Sequence, residues 1–309
     1  MKIIFLSDFH LVFSNPVCRV DNLTKTQFEK LKWVFERWQY YGGKEEECII
    51  CQAGDFFNAP RSYSLMFATL LLFSKYNPIF YSIRGQHDTL YRDRDVGSMT
   101  NFNTLVNAGF IRVLGADPAP IAPMVDLYGC QYGEEIPKVE DKSIQNILVI
   151  HKEISDTKLP GVDYVDAKGF LKHHKDFQII LCGDIHRKFM IQDRKGRIIC
   201  NTGPMLRTTA DIYNISHTPC IFVYDTKTMR ITEEKYPRAL DGELVISRSH
   251  LERNETFSLE DSEVLKEFIE SMKNASTKKI DVNENIYIIL KSLDDDLLTR
   301  LVEEIIYEH

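Results

Sequence analysis

The stretch Gly85-Gln86-His87-Asp88 follows the apolar run Pro78-Ile79-Phe80-Tyr81-Ser82-Ile83, and its reading decides the fold. Four more apolar runs end in the same manner. Ile3 to Leu6 leads into Asp8-Phe9-His10, Ile49 to Ala53 into Gly54-Asp55, Ile147 to Ile150 into His151, and Phe177 to Cys182 into Gly183-Asp184-Ile185-His186. Short apolar runs bounded by turn residues read as buried strands. Five such strands present Asp, His or Gln at their carboxyl ends, which is where open α/β sheets bind ligands. That donor set is the chemistry of a metal centre.

Working outward, Phe28, Leu31, Val34, Phe35 and Trp38 recur at helical spacing and predict a helix from about Thr24 to Tyr40, ended by Gly42-Gly43. A second helix is predicted over Ser62 to Tyr76, a polar loop over Tyr91 to Gly97, and a short helix reaching Ala108 before the strand Ile111 to Leu114. This strand-helix-strand alternation argues for a layered α/β domain. From Met124 strands dominate. Val125 to Tyr128, Ile147 to His151, Phe177 to Cys182, Lys188 to Gln192, Arg197 to Asn201, Cys220 to Tyr224 and Met229 to Glu234 are expected to form a second sheet. Gly196 supplies the positive φ of the hairpin turn between Gln192 and Arg197.

The 309 residues, 44% of them hydrophobic, suffice for a sizeable core and exclude a disordered chain. The apolar N-terminal stretch Ile3 to Leu6 is too short for a signal peptide or a membrane span, so a cytoplasmic, non-membrane protein is expected. Seven cysteines in no regular framework suit buried, reduced thiols. Cys48 and Cys51 form a C-x-x-C, but their spacing in a strand puts the sulfurs on opposite faces. The net charge of -7 is uneven: residues 241–309 carry 17 acidic and 8 basic side chains, leaving residues 1–240 near neutral. This shift places a domain boundary at 240. The region 241–309 is expected to hold a helix near Ser258 to Met272, a strand near Asn285 to Leu290 and a helix from Asp294 to Tyr307 with one apolar face.

Two divalent cations about 3.5–4 Å apart can clamp the attacking and leaving oxygens of a phosphoryl transfer. Such a pair needs one shared carboxylate and further ligands on each side. Asp8 and His10 are two residues apart, so an extended backbone would project both from one face. Asp55 follows Gly54, where a tight turn can bring the carboxylate to the middle as the bridging ligand.

Asp8-x-His10, Gly54-Asp55, Gly85-Gln86-His87-Asp88, His151 and Gly183-Asp184-Ile185-His186 resemble, in order, the five motifs of calcineurin-like metallophosphoesterases: D-x-H, G-D, G-N-H-D, H and G-H-x-H. The resemblance covers residues 1–205. Within that superfamily the chain looks most like the SbcD-type DNA-repair nucleases and their phage counterparts, through the loop Asn15 to Asn22 and through Asn201-Thr202-Gly203-Pro204 with Arg207. It implies a four-layer α/β/β/α sandwich over residues 1–240, with a small α/β cap or partner-binding region over 241–309.

By that resemblance Asp8, His10, Asp55 and His186 would hold one metal, and Asp55, Gln86, His151 and Asp184 the other. His87 would serve the leaving oxygen and Asp88 would orient His87 from behind. Two positions depart from the family pattern, Gln86 for Asn and Asp184 for His. Oxygen-rich ligation favours manganese, with magnesium as the alternative, over zinc. The implied activity is a two-metal DNA exonuclease, with endonuclease action as a further option, working in DNA repair and recombination with an SbcC-like coiled-coil ATPase; a homodimer is one of the assemblies in view. Two other readings stay open: a phosphoesterase for nucleotides or phosphoproteins, and a non-catalytic interaction module on an altered metal site. Outside the motifs, His173 and His174 read as helix-end caps, and His217, His250 and His309 as surface residues. Arg187, Lys188, Arg194, Lys195 and Arg197 read equally as a phosphate-contacting hairpin or as a solvated charged turn.

Overall fold

The computed structural model describes residues 1–90, 99–159 and 161–249. The expected loop Tyr91 to Gly97, the elements expected beyond residue 250, His250 and His309 lie outside the described residues. The chain opens with β1 (Lys2–Leu6), α1 (Leu23–Tyr40), β2 (Cys48–Gln52), α2 (Tyr63–Tyr76) and β3 (Phe80–Ser82). It continues with α3 (Asn101–Asn107), β4 (Arg112–Val113), β5 (Ala119–Ala122), β6 (Val125–Cys130) and β7 (Gln145–His151). A two-stranded ribbon, β8 (Ile154–Ser155) and β9 (Val165–Asp166), precedes α4 (Ala167–His173) and β10 (Ile179–Gly183). Then come β11 (Phe189–Gln192), β12 (Ile198–Asn201), α5 (Ile212–Ser216), β13 (Cys220–Asp225), β14 (Arg230–Lys235) and α6 (Gly242–Val245).

Two six-stranded sheets result, in the orders β14-β13-β1-β2-β3-β4 and β11-β12-β10-β7-β6-β5. The two-residue period of a strand explains the layering. On β1, Ile4 and Leu6 face α1 and α2, whereas Ile3 and Phe5 face the second sheet. Cys48 and Ile50 of β2 join the helix-side core, while Ile49 and Cys51 join the inter-sheet core. The two sulfurs of the C-x-x-C therefore lie on opposite faces of one sheet, and all seven cysteines are buried. Leu148 and Ile150 of β7 and Ile180 and Cys182 of β10 pack outward on Phe170 and Leu171 of α4. The order helix, sheet, sheet, helix is the expected four-layer α/β/β/α sandwich.

Local chemistry sets the helix ends. Asn22 caps α1 by accepting from Lys25 N, and Ser62 caps α2 by accepting from Leu65 N, each satisfying one orphan amide of the first turn. Asn77 closes α2 in the left-handed region at φ 44°.

One expectation is corrected. The strands near Cys220 and Met229, expected in the second sheet, belong to the first: β13 runs antiparallel beside β1, and β14 forms the edge. The alternation of β13 suits that place: Ile221 and Val223 fill the helix-side core, and Phe222 and Tyr224 the inter-sheet core. Tyr224 stacks on Phe5 with ring centroids 6.1 Å apart. The first compact unit extends from Met1 to His250 and so includes α6, whose Val245 packs with Cys18 and Ala210. Among the described residues no helix is long and apolar enough to cross a membrane.

Candidate metal centre

In the first sheet β1, β2 and β3 run parallel, with Leu6 opposite Gln52 and Gln52 opposite Ser82. In the second sheet β7 and β10 run parallel with His151 opposite Gly183. Parallel strands in register end together, so the polar residues that follow them meet at one edge of the sandwich. Just past the strands the backbone turns sharply. Asp8, His10, Asp55 and Asp184 have φ of 34°, 53°, 53° and 86°, a left-handed region costly for residues other than glycine. The expected extended path from Asp8 to His10 is therefore not the one taken. Both side chains nonetheless reach the centre, where donors of Asp8, His10 and His186 lie within 4.8 Å of one another. Gly85 has a direct role here, because a Cβ at that position would collide with the Asp55 carboxylate.

Asp55 occupies the middle. Its Oδ2 lies 3.6 Å from His10 Nε2, 3.4 Å from His151 Nε2 and 4.0 Å from His87 Nε2. On one side His10 Nε2 and His186 Nε2 approach to 2.9 Å, and His186 Nε2 lies 3.8 Å from Asp8 Oδ1. On the other side His151 Nε2 is 2.7 Å from Gln86 Oε1 and 3.7 Å from Asp184 Oδ1. The two departures from the family pattern touch: Gln86 Nε2 donates to Asp184 Oδ1 at 2.7 Å. The Ala53 carbonyl, 2.7 Å from His151 Nδ1, sets that ring so that Nε2 faces the centre.

The charges here are held out of water. Burial pushes the Asp8 carboxyl up to about 8 against the pull of His151. Burial, helped by His186, brings His10 down to about 3, and burial brings His186 down to about 4. Burial also disfavours a charged His151, but Asp55, Asp8 and Asp184 outweigh it and raise the ring to about 10. For Asp55 burial acts upward, and His151 with His10 and His87 overcomes it to hold the carboxyl below its usual range. Despite these pairings Asp8 Oδ2, Asp55 Oδ2 and His10 Nδ1 are buried without a hydrogen-bond partner. Buried orphans cost roughly 1–3 kcal/mol each. Unpaired carboxylate oxygens beside imidazole nitrogens are a donor set that fits divalent cations.

All nine motif residues lie at this edge, but one role is corrected. Asp88, expected to orient His87, instead accepts from the backbone N–H groups of Phe57, Phe56 and Gly85 at 3.1, 3.2 and 3.1 Å. It pins the Asp55 turn to the Gly85 turn. His87 is held by the carbonyl of Asn58, 2.9 Å from its Nδ1, which leaves Nε2 toward the centre. Main-chain acceptors such as Asn58 and Ala53 leave no mark in side-chain identity, so the motifs could not disclose them. Tyr132, whose ring centroid lies 6.4 Å from that of His151, is a further neighbour outside the motifs. Ser7, Asn201 and Thr202 form a buried hydrogen-bonded base that ties the first motif to the segment after the last one.

Other expectations divide. His173 ends α4, its Nδ1 2.7 Å from the Gly169 carbonyl, and His174 caps that helix. His217 is not at the surface: it is buried, its Nε2 3.0 Å from the Pro204 carbonyl, and it stacks on Tyr213. In the basic hairpin Lys188 pairs with Glu233 and Arg197 with Asp193, so both carry partners within the chain.

Two mixed sheets packed face to face, with Asp and His pooled at one edge where their parallel strands end, define a metallophosphoesterase sandwich. The model of the calcineurin-like phosphoesterase family matches residues 1–188. The chain belongs to that family and is a metal-dependent phosphoesterase, a hydrolase. A dimetal phosphatase from Danio rerio superposes with a TM-score of 0.52 at 10% identity, covering 80% of this chain and 98% of that one. The calcineurin-like phosphoesterase YfkN of Bacillus subtilis gives 0.44 at 11% identity over 84% of this chain and 98% of its own. An archaeal phosphodiesterase gives 0.42 at 11% over 76% and 100%. At such identity the likeness to the Danio rerio protein is one of fold. No curated protein matches the chain.

Proposed function

We propose that the protein hydrolyses DNA phosphodiester bonds, as the nuclease subunit of an SbcCD-like repair complex, using two divalent cations with manganese preferred to magnesium. Asp8, His10, Asp55 and His186 would hold one cation, and Asp55, Gln86, His151 and Asp184 the other. Bound there, the cations would supply a nucleophile at neutral pH and neutralise charge on the phosphate. The chain's own part is placement. Asp55 stands between the two ligand sets, Ala53 fixes the His151 ring, and His87 presents Nε2 where a leaving oxygen can take a proton or a hydrogen bond.

The observation that carries this reading is the contact between Gln86 and Asp184 at 2.7 Å, alongside 2.7 Å between Gln86 and His151. The longer amide reaches the shorter acid, which supports reading the two departures from the family pattern as one unit. The side chains of His87 and His186 are 38% and 35% exposed, and this supports a substrate whose phosphate lies within a long chain. Degradation of labelled DNA with manganese by the wild type, but not by Asp55→Asn or His87→Ala, is the expected result. Equal activity in all three would sink the proposal, and turnover of nucleotides alone would move the substrate class.

A further inference from the structure

A second cluster of buried charge, opposite in sign, lies beside α1. Arg19, Lys30 and Arg207 are 7%, 4% and 4% exposed and line one cleft of about 40 Å³ with Asp21, Tyr236 and Arg238. Arg19 gives Nε and Nη2 to Asp21, both at 2.7 Å, and Nη1 to the Arg207 carbonyl at 2.9 Å. Lys30 Nζ donates to the Met205 carbonyl at 2.9 Å. Arg207 donates to the carbonyls of His217 and Leu240 at 3.3 and 2.7 Å. Carbonyl oxygens satisfy donors without supplying charge. Asp21 is the carboxylate bonded within the cluster; Glu29 lines the cleft, and Asp241 acts on Arg207 at longer range.

Three buried cations against one bonded carboxylate leave an excess of positive charge in a place where charge is costly. The donors are also unsaturated. Arg207 Nε is buried without a partner, and Lys30 uses one of its three N–H groups. Burial, reinforced by Arg19 and Arg207, pulls the Lys30 ammonium down to about 7. The space has a definite size: a water needs roughly 10–15 Å³ measured in this way, so a group of a few heavy atoms fits and a nucleoside does not.

We infer that this cleft binds a single phosphate group, with Lys30, Arg19 and Arg207 giving it charge-assisted hydrogen bonds. The site is separate from the metal centre but connected to it. Lys30 holds Met205, whose N–H reaches the Asp8 carbonyl at 3.4 Å, and Pro204 bridges to Ser7. The inference concerns residues outside the proposed nuclease machinery and does not depend on the substrate.

Inorganic phosphate titrated into the metal-free full chain tests it, followed by thermal melting and by tryptophan fluorescence, since Trp33 packs on Tyr236 with ring centroids 5.4 Å apart. Wild type and Asp55→Asn are expected to show the same saturable response, and Lys30→Met and Arg19→Gln to bind roughly tenfold more weakly or worse. Phosphate stabilises proteins generally by exclusion from their surface, so the difference from the variants is the readout. A wild-type response no larger than that of the variants overturns the site. Should one variant fail to fold by circular dichroism, the other carries the comparison; should both fail, a wild type without a saturable fluorescence change overturns it and a saturable change in Asp55→Asn upholds it. Competition by a 5′-phosphorylated but not a 5′-hydroxyl oligonucleotide assigns the ligand as a phosphate ester. Competition by neither assigns it as free phosphate.

Discussion

The metal centre and the cleft beside α1 both bury unbalanced charge, and they hold it differently. At the centre Asp8, Asp55 and Asp184 are short side chains fixed to strand ends by left-handed turns, and Asp8 and Asp55 each hold an orphaned oxygen that cannot withdraw. In the cleft Arg19, Lys30 and Arg207 are long side chains, each bonded to a carbonyl, whose remaining donors sit at the ends of multi-carbon stems. A rigid acidic cage selects ions by geometry, whereas a set of flexible basic arms can close on an oxyanion of adjustable position. The same desolvation penalty thus gives a fixed site in one place and an adaptable one in the other.

The largest effect should come from breaking the rigid half. Asp55→Asn removes the shared carboxylate and is expected to lower hydrolysis of a phosphodiester by roughly 10³-fold or more, with fewer metal ions retained per chain on equilibrium dialysis. Next, His87→Ala should cost roughly 10²-fold or more in kcat while the metal count stays that of the wild type. Asp88→Ala leaves three backbone N–H groups without their acceptor and should destabilise the fold by about 3 kcal/mol in denaturant unfolding.

The adaptable half gives a test in pH. The folded value of Lys30 is about 7, below the 10.5 of the free side chain, so between these limits the unfolded chain binds the extra proton. Wild-type stability in phosphate-free buffer should therefore rise from pH 7 toward 10.5, and the penalty should be fully present below 7. Lys30→Met should remove that slope and stabilise the neutral-pH fold by about 2 kcal/mol. The smallest effect lies within the centre. A cycle of Gln86→Asn, Asp184→His and the double variant should show a coupling of about 1 kcal/mol in manganese affinity; additive effects would separate the two residues.

Much of the site was legible because its signal is local. A strand followed by Asp, His or Gln can be read from a few neighbouring residues, and five of them in order pointed to Asp8, His10, Asp55, Gln86, His151, Asp184 and His186, which the structure gathers at one edge. The sheet that takes β13 was not legible, because its alternation fits either sheet and pairing with β1 spans more than 200 residues. The contacts of Asp88 were hidden for a related reason: its three partners are backbone amides, and amides occur at nearly every position. His217 looked like a surface residue because its burial depends on Tyr213 and Pro204, contacts that no periodicity announces.

The left-handed turns carry one more consequence. Four of the six residues other than glycine with positive φ among those described are Asp8, His10, Asp55 and Asp184. Glycine at any of them would relax the backbone. A library screened only for heat resistance should accumulate such replacements and become inactive while folding better, so directed evolution of this scaffold must select for turnover and thermal survival together.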